Sequence, residues 1–210
     1  VNATFVSKGE VATYPVIWRL GKAFNIIFVR RTPEYTPIAR GKVAEAFRRG
    51  INVAMFPEST TTNGTEMYEF KAGLLSLLFN TEGTEHKAIL DKVVVQPIAQ
   101  RIIAVDGKPI ADGTDVRERL DLWEPYMMHN EQNLAKRIWK RLQVGSITIE
   151  MTAMPPMEPK NFADAKALAN EAWAQVAAVV VPHQKAPVKK KLPLTEGELN
   201  YKRPPEAPSA

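Results

Sequence analysis

The residues best suited to chemistry in this sequence follow a short apolar run. Residues 52–56 read as a strand, and Pro57, Glu58, Ser59 and Thr60 follow in a turn, with Thr61, Thr62, Asn63 and Gly64 next and Phe70-Lys71-Ala72-Gly73 beyond. A carboxylate and several hydroxyls past a strand end can orient a polyol headgroup by hydrogen bonds, and short polar side chains leave room for a ligand. The same residues also suit a helix-capping turn, with Ser59 and Thr60 bonding backbone amides and Glu58 merely exposed. A second grouping, His86 and Asp91, has the His-x4-Asp spacing of a general base and its orienting carboxylate. Three His and six Asp give one such pair by accident at odds of roughly one in twelve, so the spacing alone carries little weight.

Regular elements must hold these residues. Residues 4–7 read as a strand, a helical stretch interrupted near Pro15 runs to about residue 24, and 26–30 is an apolar strand. A helix over 37–49 stops at Gly50, a favoured residue just past a helix end. Phe70, Leu74, Leu77 and Leu78 give an i, i+4, i+7, i+8 face that predicts a helix to about Phe79. Residues 93–103 read as a long strand region in which Pro97 marks an edge, a bulge or the strand's end. Residues 106–126 are loop-like, with turn signals at Asp106-Gly107 and Asp112-Gly113. Lys136, Arg137, Lys140 and Arg141 fall opposite a stripe of Leu134, Ile138 and Leu142 on a predicted helix. Residues 146–152 alternate as a strand, and Phe162, Ala165, Ala169, Ala172, Trp173, Val176 and Val180 pattern a last helix. Strands separated by helices predict an α/β fold with a mostly parallel central sheet flanked by helices, whose chemistry gathers at the loops leaving the C-terminal strand ends.

Composition removes several function classes. The chain has no Cys, so disulfides, thiolate metal sites and a cysteine nucleophile are excluded. It has no Gly-x-Gly, no Gly-x4-Gly-Lys-Ser/Thr and no Gly-x-Ser-x-Gly, which removes the dinucleotide fingerprint, the P-loop and the nucleophile elbow. His86, His129 and His183 are far apart, against a His-rich metal site. No run approaches the ~18 apolar residues of a membrane span. The net charge is +5, and residues 182–210 hold six Lys/Arg, three Glu and six of the 16 prolines. That composition predicts a domain over 1–181 followed by a basic, Pro-rich disordered tail. Such a tail can associate with anionic phospholipid headgroups at roughly 1 kcal/mol per cation near the surface. The cations are not interleaved with the set of aromatic residues that base stacking needs, so no nucleic-acid partner is expected.

The turn at 56–60, with the Phe-Lys-x-Gly after it, resembles the Phe-Pro-Glu-Gly-Thr block of the glycerolipid acyltransferases, the PlsC-like 1-acyl-glycerol-3-phosphate acyltransferase family. Upstream, Asn25-Ile26-Ile27-Phe28-Val29-Arg30-Arg31 is similar to that family's Gly-x-Ile-Phe-Ile-x-Arg block, and the resemblance places Arg31 at its phosphate-binding arginine. The guanidinium fork offers paired donors to a phosphate, although a solvated strand-end arginine would read the same way in isolation. Phe5-Val6-Ser7-Lys8-Gly9-Glu10 resembles the Phe-Val-Ala-Lys-x-Glu stretch, whose lysine contacts phosphate, and Val94-Val95-Gln96-Pro97-Ile98-Ala99 resembles the fourth block, a strand ending in Val-Pro-Val that helps wall the acyl site. Four blocks stand in the family's order over roughly residues 3–102. Two family glycines are replaced, by Asn25 and Ser59, where a positive φ is less comfortable. Thr61 stands where many lysophosphatidate acyltransferases carry Arg, which points away from a phosphomonoester and toward acceptors such as lyso-ornithine lipid.

The resemblance implies an O-acyltransferase that needs no metal or organic cofactor. An acyl-CoA or acyl-carrier-protein thioester would be attacked by a lysolipid hydroxyl at the cytoplasmic face of the membrane. Arg31 and Lys8 would hold the anionic headgroup, and Glu58, Ser59 and Thr60 its polar part. The family's base comes from an Asn-His-x4-Asp block upstream of the lysine stretch, so no catalytic residue is assigned within these 210. The chain begins at Val1, inside strand-like sequence, and is expected to be a fragment or processed form with that block before it. His86 and Asp91 follow the Phe-Pro-Glu block, lack a preceding Asn and are expected to be a coincidence. A non-catalytic lipid-headgroup binding module is the alternative reading.

Overall fold

The computed structural model describes residues 2–9, 12, 15–29, 35–60, 62, 64–79, 85–109, 139 and 142–189. Its described residues divide into two compact units, the first drawn from Val1–Phe56 and Gly73–Lys92, the second from Pro57–Ala72 and Val93–Lys190.

In the first unit, β1 (Ala3–Lys8), α1 (Pro15–Ala23), β2 (Ile27–Val29), α2 (Thr36–Arg48) and β3 (Asn52–Ala54) alternate along the chain. The strands form a parallel sheet in the order β2-β1-β3, with Val6 opposite Ile27 and Thr4 opposite Val53. A parallel sheet needs apolar side chains on its faces because helical crossovers cover it. Ile27, Val43 and Ala46 supply the buried centre here, with Val6, Val29, Phe47, Ile51, Val53 and Leu77 packed around them.

One device ends both helices and feeds both outer strands. After α1, the Ile26 N–H reaches the Gly21 carbonyl at 2.8 Å and the Asn25 N–H reaches Lys22 at 3.2 Å. After α2, the Ile51 N–H reaches Ala46 and the Gly50 N–H reaches Phe47, each at 2.9 Å. This is the Schellman pattern, which requires a left-handed residue at its pivot. The pivots are Gly50 (φ +68°) and Asn25 (φ +53°). Buried Thr4 then donates its hydroxyl to the Asn25 carbonyl at 2.5 Å, tying the first pivot to β1. Because a left-handed L-residue with a Cβ costs about 1–2 kcal/mol and Asn less, Gly50→Ala is expected to lower stability by about 1 kcal/mol. Asn25→Gly should gain a few tenths at most, since backbone entropy offsets the relieved strain. Urea midpoints at unchanged m-value check both.

The second unit departs from the predicted single parallel sheet. Here β4 (Ile98–Val105), β5 (Lys108–Pro109) and β6 (Ile147–Ala153) form an antiparallel sheet in the order β5-β4-β6. Asp106 and Gly107 lie between β4 and β5 with φ of +49° and +72°, the paired left-handed conformation of a two-residue hairpin. The Asp106 carboxylate also accepts the Ser146 N–H at 3.0 Å, holding the start of β6 beside the hairpin. Pro97 stands just before β4, so this strand begins at the proline rather than ending there, and Val95 pairs with Met157 on the other side of it. The last helix, α4 (Ala165–Val180), opens on an Asp164 cap whose carboxylate accepts the Ala167 N–H at 2.7 Å. Its buried face carries small residues, which lets Trp173, Val176 and Ala177 close against Ala99, Met67 and Val181.

Three other expectations need correction. The periodicity of residues 70–79 produces only a 3-10 turn, Leu75–Leu78. The Gly73 carbonyl is engaged by the Ser76 hydroxyl at 2.9 Å and by Arg40 Nε at 3.0 Å, which compete with helix formation. Leu142, expected in a buried stripe, is helical but 72% exposed, while Lys136, Arg137, Lys140 and Arg141 lie outside the described residues. Finally, the boundary drawn at residue 182 is misplaced: residues 183–188 form a strap bonded to residues 65–69. Residues 190–210 lie outside the described set.

Candidate functional site

The first unit places Lys8 as the last residue of β1, half-buried and in register with Val29 of β2. The parallel order makes the exits of β1 and β2 neighbours, and Arg31 follows Val29 by two residues in the sequence. Arg31 itself lies outside the described residues.

The second unit contains Glu58, Ser59 and Thr60. Pro57 and Glu58 form a turn beyond β3, and Ser59 takes φ +58° in the left-handed region. Asn25 and Ser59 therefore both hold the backbone conformation that glycine favours. Ser59 and Thr60 are half-buried. No helix starts at this turn among the described residues, the next helical element being Leu75–Leu78, so the capping alternative does not apply.

Glu58 is half-buried and turned back onto its own loop. Its Oε2 accepts the backbone N–H of Tyr68 at 2.9 Å, and the Lys71 N–H donates to the Pro57 carbonyl at 2.9 Å. Two bonds thus close residues 57–71 into a loop that presents Ser59 and Thr60 between its fixed ends. Withdrawal from water raises the Glu58 pKa above its ordinary value, partly offset by the Tyr68 N–H. Lys71 is ion-paired with Glu69, whose carboxyl is held low by that contact.

His86 and Asp91 each meet another charged partner. Nε2 of His86 lies 3.2 Å from Glu85, while Asp91 pairs with Lys87 at 3.0 Å across one turn. The backbone carbonyl of His86 instead starts the short helix α3 (Lys87–Leu90), accepting from Ile89 and Leu90 at 2.9 Å. Leu90, buried at 1% exposure, explains the position of this segment.

The order of Lys8, Arg31 and the Glu58 turn now meets an independent comparison: residues 1–101 match the model of the family described as Acyltransferase. These residues, just under half of the chain, are similar to that acyltransferase family. A lyso-ornithine lipid O-acyltransferase from Rhodobacter capsulatus is 35% identical over 105 residues, covering 50% of this chain and 36% of the relative. A 1-acyl-sn-glycerol-3-phosphate acyltransferase from Neisseria gonorrhoeae is 35% identical over 74 residues, covering 34% of this chain and 29% of the relative. A lyso-ornithine lipid O-acyltransferase from Brucella abortus is 26% identical over 184 residues, 85% of this chain and 63% of the relative, which carries the likeness beyond residue 101 into the second unit. The chain spans about a third of the length of the Rhodobacter and Neisseria acyltransferases. No solved structure matches.

The sequence does not reveal the partner of Glu58. Tyr68 contributes only a backbone N–H, which no side-chain pattern reports. Gln184 and Val188, which hold the other side of the 65–69 segment, sat in sequence read as tail because of the flanking Pro182 and Pro187.

Proposed function

We propose that this chain is the acceptor-binding part of an enzyme that transfers an acyl group from acyl-CoA or acyl-carrier protein to the hydroxyl of a lysolipid. The observation that carries the reading is the run of blocks containing Lys8, Arg31 and Glu58 within the 101 residues that match the family. Arg31, with Lys8 in support, holds the anionic headgroup, and the loop of Glu58, Ser59 and Thr60 hydrogen-bonds its polar part. A general base acting on the acceptor hydroxyl directly is not assigned among these residues. The acceptor is a lysolipid without a phosphomonoester, of the lyso-ornithine lipid kind: Thr61 supplies no cation for a second phosphate charge, and two of the relatives above are named for that acceptor. The reaction takes place at the cytoplasmic face of the membrane, with the enzyme peripheral or anchored outside this segment. Among the described residues no helix is long and apolar enough to cross a membrane.

The test is turnover by the full-length protein on lyso-ornithine lipid and on lysophosphatidate, with each thioester donor. Transfer to lyso-ornithine lipid supports the reading, and a strong lysophosphatidate preference refutes the acceptor assignment. Binding of lysolipid without any transfer would make the protein a headgroup-binding module. In the same assay His86→Ala is expected to keep wild-type turnover, because its imidazole and Asp91 have other partners. Abolished transfer in a folded His86→Ala variant would place the base in this chain.

A further inference from the structure

Residues 65–69 are held from both sides. On one side the Tyr68 N–H donates to Glu58 Oε2 at 2.9 Å. On the other, the Met67 N–H donates to Gln184 Oε1 at 2.8 Å, and Gln184 Nε2 donates to the Met67 carbonyl at 2.7 Å and the Ala186 carbonyl at 2.9 Å. The strap continues the pairing: the Glu69 N–H reaches the Val188 carbonyl at 3.1 Å and the Val188 N–H reaches Met67 at 3.2 Å. Successive residues of an extended chain direct their N–H groups to opposite sides. With Met67 and Glu69 facing the strap, the Tyr68 N–H faces Glu58. Gln184 grips both polar groups of Met67 with one amide, which needs a donor and an acceptor on the same side chain. Its own position is set by α4: the Val181 N–H closes the helix on Ala177 at 2.9 Å, fully buried Val181 joins the core with Met67 and Trp173, and the Gln184 N–H turns back to Val181 at 2.8 Å.

We propose that Gln184 is a positioning residue for lysolipid binding, fixing through Met67 and Tyr68 where the Glu58 turn stands. The consequence for the acceptor rests on the acyl-transfer reading, whereas the clamp rests on the contacts alone. Gln184→Ala removes the two-point grip but leaves the Val188 backbone pairing, so the unit remains folded with a loosened turn. In the full-length protein, amide exchange at Tyr68 should accelerate about tenfold, and acceptor kcat/KM should fall about tenfold through KM while the donor KM stays unchanged, in line with the large cost of small misplacements at a binding site. Gln184→Glu, which keeps the acceptor but loses the donor to the Met67 carbonyl, should show the same split. A purely structural role would lower the melting temperature and the active fraction without moving the acceptor KM. Unchanged Tyr68 exchange overturns the proposal, as does faster exchange with an unaltered acceptor KM. If the unaltered protein transfers no acyl group to any lysolipid, the functional reading fails instead, and Tyr68 exchange alone decides the clamp.

Discussion

Replacing Glu58 with Ala is expected to cost about 1–3 kcal/mol of stability, because the backbone N–H of buried Tyr68 loses its acceptor inside the fold. Glu58→Gln separates that structural bond from the charge. The amide oxygen can still accept from Tyr68, while the desolvated negative charge is gone. Folding raises the Glu58 pKa, with burial as the larger cause. A folded state that binds a proton more tightly than the unfolded chain is favoured at low pH. The contribution of Glu58 is therefore greatest below the ordinary carboxylate pKa and declines as pH rises from that value through the raised one. Glu58→Gln should accordingly gain stability relative to the natural protein between pH 4 and pH 7. Urea unfolding of the two proteins at both pH values measures this, and a parallel pH dependence would show that Glu58 titrates as if in water. For activity, Glu58→Ala should lower acceptor kcat/KM by about tenfold to a hundredfold, as expected for hydrogen bonds involving a charged group. If Glu58→Gln retains full turnover, the carboxylate serves the loop and not the headgroup.

Much of the first unit was readable because its punctuation is local. Gly50 announces the end of α2, and the apolar runs at 26–30 and 52–56 follow helices closely enough to force parallel strands. Asn25 was readable as a substituted glycine, but only the Ile26 and Asn25 amide bonds show why the left-handed conformation is needed there. The second unit was harder for a different reason. Alternation in 146–152 predicts a strand but carries no direction, and the Asp106-Gly107 turn signal does not say that it joins β4 to β5 as an antiparallel hairpin. The Leu74, Leu77 and Leu78 spacing fits a helix, yet Gly73 and the hydroxyl of Ser76 favour a tighter turn. The candidate site divides along the same line. Its residue types were visible in sequence, whereas the main-chain partner of Glu58 and the distant Gln184 depend on tertiary contacts between residues far apart in the chain.

Arg31→Ala should produce a defect as large as any at Glu58 and of a different kind. A guanidinium holding an anionic headgroup contributes through charge-assisted hydrogen bonds of about 1.5–3 kcal/mol, which converts to roughly a tenfold to hundredfold loss in acceptor kcat/KM. Because headgroup binding is retained in the transition state, the loss should fall on KM more than on kcat. Arg31→Lys keeps the charge but gives up the planar fork, so it should recover only part of the loss on a headgroup that accepts two parallel bonds. Lys8, half-buried at the β1 exit, cannot replace Arg31 by moving freely, since its backbone is fixed in register with Val29. Lys8→Ala should therefore give a smaller defect, and the double variant should show whether the two cations share one anionic group by departing from additivity. The deciding comparison is between acceptors. Loss of Arg31 should weaken use of an anionic lysolipid strongly and leave a lysolipid with an uncharged headgroup little changed. Equal losses on both would mean that Arg31 supports the fold or the acyl donor, and that the anion is held elsewhere.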